Sequence, residues 1–140
     1  MLEIESVIGT DAGLFSSCQA QPMTESMVSR AEGNNMLGLE GHIANGPGFM
    51  FLVYLGVDKA EDEATAIPYV ERFQRDVDAY ADSLGGNWHW SYLNYAHGTQ
   101  NPIVGYGVES MLQLQAASNK YDPSGVFQNL RQSGFKLPIS

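Results

Sequence analysis

A single cysteine, Cys18, stands in a chain of 140 residues. One cysteine forms no internal disulfide and offers no thiolate cluster for zinc, so this fold is held by neither. We read Cys18 as a small buried hydrophobe. Basic residues are also scarce: 7 against 16 acidic ones, for a formal net charge of −9. Nucleic-acid binding needs cations to displace the phosphate counterions, and anionic membrane surfaces make the same demand, so nucleic acid is set aside and a membrane partner is disfavoured. Long hydrophobic runs are missing as well. The longest, residues 49–57, falls far short of the ~20 apolar residues that span a bilayer. The opening MLEIESVIGT carries acids where a signal peptide needs bases, and we expect a soluble, cytoplasmic protein. Walker, GxGxxG, HExxH and GxSxG motifs are absent. His42, His89 and His97 lack ligand spacing, so no metal site is expected. The acidic run DKAEDEAT (58–65) reads as a solvated approach to a helix.

What is present suits a globular chain: 44% of residues are hydrophobic, and the length fits one domain, residues 1–140, able to bury its own core. Residues 2–8 alternate apolar and polar and predict a strand, as do residues 14–21. Pro22 then suits the first turn of a helix that carries Met23, Met27 and Ala31 and closes at Gly33. A short strand is expected over 35–40, a turn-rich loop over EGHIANGPG (40–48), and a central strand buried on both faces over 48–57. Residues 61–84 hold the longest helical pattern. Ile67, Val70, Phe73, Val77, Tyr80 and Leu84 make one buried stripe, and Gly85 and Gly86 stop it. Pro68 would break a helix interior, so the regular helix is expected to start near Ala66, with 59–66 a loop or separate turn. A strand over 87–96, a helix over 106–120, a turn at YDPSG and a compact tail over 126–137 complete the chain. Short loops join strands 1 to 2 and 3 to 4. The order predicts an α+β fold, an antiparallel sheet with helices packed on one face.

The run NWHWSYLNYAHGTQNPIVGYG (87–107) concentrates the chemistry. In a strand, Trp88, Trp90, Tyr92 and Asn94 would share one face and His89, Ser91, Leu93 and Tyr95 the other. Indoles and phenols combine broad apolar surface with one polar handle each, which suits a ligand wall or an interface, while a core role for these rings stays open. A buried Asn94 would need several hydrogen-bond partners.

Residues 92–137 resemble the C-terminal end of FAD-linked oxidoreductases of the berberine bridge enzyme type. The shared features are the YxNY strand (Tyr92, Asn94, Tyr95), the YG that opens a helix (Tyr106, Gly107), the KYDPxGVFQ turn (Lys120 to Gln128) and the closing GFKL (Gly134 to Leu137). Upstream, EGNNMLGLE (32–40) is similar to a GGNxLGL segment of the fungal members, so the resemblance covers roughly residues 14–137. It implies a truncated substrate domain, whose YxNY strand runs near a flavin ring and whose sheet forms the substrate face. The flavin domain precedes this region in the family and carries the histidine and cysteine that usually link FAD; nothing here matches it. Plant-type members place a carboxylate base where this chain reads Met36, Leu37, Gly38 and Leu39, and Glu40 is the nearest acid.

Three functions follow as expectations. The chain opens at Met1 and ends just past the closing motif, so the first is a stand-alone, flavin-free domain. It would perform a non-redox cyclisation or isomerisation on a polycyclic or polyketide-derived small molecule, with no cofactor. Tyr92, His89 and Glu40 would be its catalytic residues, and Trp88, Trp90, Asn94, Tyr95 and Tyr54 would bind substrate. The second is a piece of an FAD-linked oxidoreductase that needs a separate FAD-binding part. The third is a non-catalytic binding module whose aromatic face is an interface. In the family the flavin domain covers part of this sheet; without it the bared apolar surface leads us to expect a homodimer.

Overall fold

Nine residues, Phe15–Met23, form strand β1, and nine more, Gly48–Gly56, form strand β2. The two pair into an antiparallel sheet, the only one among the described residues of this computed structural model, which are 6–8, 13–31 and 35–138. The helices are α1 (Glu25–Ser29), α2 (Glu40–Ile43), α3 (Ala60–Ser83), α4 (Pro102–Gly105), α5 (Val108–Tyr121) and α6 (Val126–Asn129). The α+β class expected from the sequence is therefore the class found. The strands that pair are the second and fourth of the expected order, and among the described residues they are consecutive strands.

The chain divides into two compact units. The first comprises residues up to Gln21 together with Phe49–Asn87, and so holds most of both strands and all of α3. β2 was expected to be central and buried on both faces. Among the described residues it has one neighbour, and both faces carry open aromatics: Phe49 is 74% exposed, and Phe51 and Tyr54 are also exposed. Phe51 meets Phe73 of α3 (ring centroids 6.4 Å apart), while Tyr54, three residues on and so on the opposite face, meets Phe15 edge-on at 5.7 Å. Cys18 on β1 is exposed rather than buried.

Helix α3 corrects the expected start near Ala66. It begins at Ala60 and runs through Pro68. The proline removes one ladder bond and crowds the carbonyl of Ala64. Strong helix formers precede it, Ala60, Ala64 and Ala66, and Glu61, Asp62 and Glu63 sit at the positive end of the helix dipole. The glycine pair ends α3 as expected. Gly85 takes φ +68°, its N–H reaches the Asp82 carbonyl (2.9 Å), and the Gly86 N–H reaches that of Ala81 (3.0 Å), a Schellman closure. The apolar stripe is not buried, however: Phe73, Tyr80 and Leu84 are all exposed.

The second unit comprises Pro22–Gly48 and Trp88–Ser140. Its interior is small and sharply placed: Pro102 is fully buried, with Val28, Leu39, Ile103 and Tyr106 nearly so. Here α1 packs against α2, and α4 against α5. Pro22 belongs to the end of β1, and the helix starts three residues later at Glu25; Gly33, its expected end, lies outside the described residues. The strand expected over 35–40 does not form. Asn35 Oδ1 accepts the Leu37 N–H (2.8 Å), a side-chain turn, and Gly38 takes φ +67°. The expected strand over 2–8 is also corrected: residues 6–8 are helical, and 2–5 lie outside the described residues.

The closing motifs hold one another. Asp122 of the YDPSG turn accepts the N–H groups of Val126 (2.8 Å) and Phe127 (2.9 Å), and so caps α6. Gln128 Oε1 accepts the Leu137 N–H (3.1 Å), and Lys136 Nζ donates to the Phe127 carbonyl (2.8 Å). The KYDPxGVFQ and GFKL segments thus form one hydrogen-bonded corner.

Candidate functional site

The aromatic run does not become a strand. His89 takes φ +49°, in the left-handed region that an extended chain cannot contain, and the Tyr95 N–H closes a turn onto the Tyr92 carbonyl (2.9 Å). The expected alternation of faces is thereby lost. Part of the expected grouping survives by another route, because the turn folds the rings back on one another.

Trp90 and Tyr92 lie nearly parallel, 13° apart with centroids at 6.1 Å. Tyr95 meets Tyr92 edge-on at 5.2 Å, and Tyr106 lies tilted against Trp90 at 6.0 Å. Offset and edge-on contacts of this kind are the favourable ones for ring quadrupoles. Trp90 Nε1 donates to the Leu37 carbonyl (2.7 Å), which fixes the indole against the Gly38 bend. A Cβ at Gly38 would run into the carbonyl of Tyr106, so only glycine lets the two backbones approach this closely.

The polar groups of the cluster are few and specific. Asn94 Nδ2 donates to Tyr92 Oη (2.8 Å), so the phenol's own hydrogen remains to be donated elsewhere. Leu93 N–H donates to Tyr106 Oη (3.0 Å). Tyr106 is only 6% exposed. Burial pushes its phenol above the ordinary value, the Leu93 hydrogen bond works against this, and the neighbouring Tyr92 phenol adds to it. Tyr106 therefore stays neutral and keeps its hydroxyl hydrogen. Leu93, Asn94 and Tyr95 form the exposed edge of the cluster.

Of the residues expected from the sequence, the structure brings together Trp90, Tyr92, Asn94 and Tyr95. Trp88 stands apart from that stack and packs instead on His42 of α2, nearly parallel (15°) at 5.3 Å, with the Gly48 backbone against its ring. His89 is exposed at its left-handed corner. Glu40 is exposed at the start of α2 and takes a hydrogen bond from Asn35 Nδ2 (3.2 Å). Tyr54 belongs to the first unit. Sequence reasoning missed Tyr106 as a member of the cluster and His42 as the partner of Trp88. The signal for Tyr106 was its setting between Gly105 and Gly107, a spacing that marks close backbone approach; His42 gave none. Among the described residues, no group of His, Cys, Asp or Glu could hold a metal ion, and no helix is long and apolar enough to cross a membrane.

Comparison with known proteins gives relatives in which this region is part of something larger. The chain is 35% identical over 132 residues to the FAD-dependent monooxygenase drtC of Aspergillus calidoustus, covering 94% of this chain and 25% of that protein. It is 35% identical over 130 residues to the FAD-dependent monooxygenase sdcF of Emericella nidulans, covering 92% of this chain and 26% of the relative. It is 39% identical over 119 residues to the bifunctional solanapyrone synthase of Alternaria solani, covering 84% and 22%. The chain thus spans about a quarter of the length of these curated relatives. No family model and no solved structure matches it.

Proposed function

We propose that this chain is the substrate-side piece of an FAD-linked oxidoreductase of the berberine bridge enzyme type, in fungal secondary metabolism, acting with a separate FAD-holding part. The observation that carries this reading is the match of 94% of the chain to one quarter of an FAD-dependent monooxygenase. The aromatic cluster supports it from the chemistry. Trp90 and Tyr92 are parallel, and the exposed edge formed by Leu93, Asn94 and Tyr95 offers apolar surface beside one amide and one phenol.

That edge fits the flat ring end of FAD or of a substrate lying on it. The pyrophosphate end does not fit this chain. The long helices α3 and α5 carry Glu61, Asp62, Glu63 and Glu109 in their first turns, where a bound phosphate would meet repulsion. The phosphate grip is therefore assigned to the other part. When bound, FAD supplies the two-electron chemistry that ordinary side chains lack.

The chain's own residues bind and orient. Tyr92 and Tyr95 present ring surface to a flat, polycyclic substrate. The Tyr92 hydroxyl, accepting from Asn94, donates its hydrogen to an oxygen of the ligand, and Trp90 backs it from behind. His89 and Glu40 are the candidates for moving a proton, both from solvent-facing positions. Trp88 acts through the loop that it holds with His42.

The test is the visible absorbance of the chain purified alone and purified with the FAD-holding portion of a relative such as drtC. The reading expects a flavin band only in the paired sample. Turnover of a small-molecule substrate by the chain alone, with no flavin band, would instead favour the flavin-free cyclisation or isomerisation that draws on the same side chains.

A further inference from the structure

We propose that Tyr106 is a positioning residue for the ligand-facing pair Tyr92 and Asn94, acting through the backbone between them. The inference rests on the reading that the Leu93–Tyr95 edge faces a ligand. Tyr106 is buried and makes no part of that edge, yet its oxygen is the acceptor for the N–H of Leu93, the residue between Tyr92 and Asn94. Within a tight turn this N–H has no ladder partner, and the Tyr106 phenol oxygen is the acceptor that the structure gives it. The phenol thus pins the turn at its centre.

Two further contacts make the pin directional. The Tyr106 ring lies 6.0 Å from Trp90, which stacks beside Tyr92, so both the hydroxyl and the ring of Tyr106 bear on the turn. The carbonyl of Tyr106 is met by the Gly38 backbone, and Gly38 follows Leu37, the acceptor for Trp90. Tyr106 therefore cannot shift without moving its neighbours. Asn94 reaches Tyr92 Oη across this turn at 2.8 Å, a geometry that a loosened turn would not keep.

The experiment uses Tyr106→Phe, which keeps the ring and removes only the hydroxyl. Amide hydrogen exchange and the side-chain NH2 resonances of Asn94 are followed by NMR on the full chain, with riboflavin fluorescence quenching as a binding probe. The proposal expects exchange at Leu93 to Ala96 to quicken by about tenfold or more, and the Asn94 NH2 signals to move toward free-amide positions, while α5 amides are unchanged. On the probe, Tyr106→Phe and Asn94→Ala should be non-additive, the double variant losing no more than the worse single. Uniformly faster exchange across the second unit, an unmoved Asn94 signal, or additive losses would overturn it. If the wild-type chain does not quench riboflavin, the ligand reading of the edge fails, while the exchange and Asn94 signals still decide the positioning role.

Discussion

The indole of Trp90 donates a 2.7 Å hydrogen bond to the carbonyl of Leu37, 53 residues earlier in the chain. This bond ties the aromatic run to the bend at Gly38 and sets the floor of the candidate site. Phenylalanine at position 90 would keep most of the ring surface and strip the partly buried carbonyl of its donor. We expect Trp90→Phe to lower unfolding free energy by about 1–3 kcal/mol, read as a shift of the urea midpoint at unchanged slope. A variant as stable as wild type would mean that water replaces the indole without loss.

The Tyr106 phenol predicts an alkaline weakness. Its folded pKa is raised above the ordinary 10.0, so the folded state holds its proton more tightly than the unfolded chain does. The stability linked to it is fully present below about pH 10 and falls as pH rises from there through the folded pKa. Denaturation followed between pH 8 and about 11 should show this decline in wild type and less of it in Tyr106→Phe. Identical slopes would remove Tyr106 as the source.

Much of the fold was legible because it rests on local signals. β1, β2, the glycine stop of α3 and the YDPSG turn were read within a few residues. Each depends on alternation, a run of apolar residues or a turn-forming side chain. The failures share a cause. Residues 35–40 and 87–96 carry apolar and aromatic residues in strand-like order, but the Asn35 side-chain turn with the positive φ of Gly38, and the left-handed His89, are backbone choices that pattern does not encode. The start of α3 was misjudged because the rule for Pro68 is local, whereas the alanines and first-turn acidic residues before it outweigh it. The site was half legible. The aromatic run pointed to Trp90, Tyr92, Asn94 and Tyr95, which the structure groups by a turn rather than by a strand face, so Trp88 falls away and Tyr106 enters.

The Asp122 cap gives a separate test in the closing corner. Its carboxylate accepts two N–H groups at the start of α6. Asp122→Ala should lower stability by about 0.5–2 kcal/mol, with Asp122→Asn retaining part of it through one amide oxygen. Thermal melts of the three proteins would show this ordering, and an alanine variant equal to wild type would refute the cap.

The open aromatics of the first unit predict self-association when the chain is alone. Phe49, Phe51, Tyr80 and Leu84 are exposed, and apolar surface of this kind is rarely left to water on a soluble monomer. We expect light scattering at micromolar concentration to give a dimer, and Phe49→Glu to shift it toward monomer. A strictly monomeric wild type would contradict this.

Substrate turnover in the FAD-holding portion of a related monooxygenase, supplied with this chain, tests the proposal that Tyr92 and the Leu93–Tyr95 edge serve an FAD-linked reaction whose flavin is held elsewhere. The account predicts turnover only with both parts present, and a fall of about 10²-fold or more in kcat with Tyr92→Phe at an unchanged melting temperature. Turnover by either part alone, or full activity in the Tyr92→Phe pair, would contradict it.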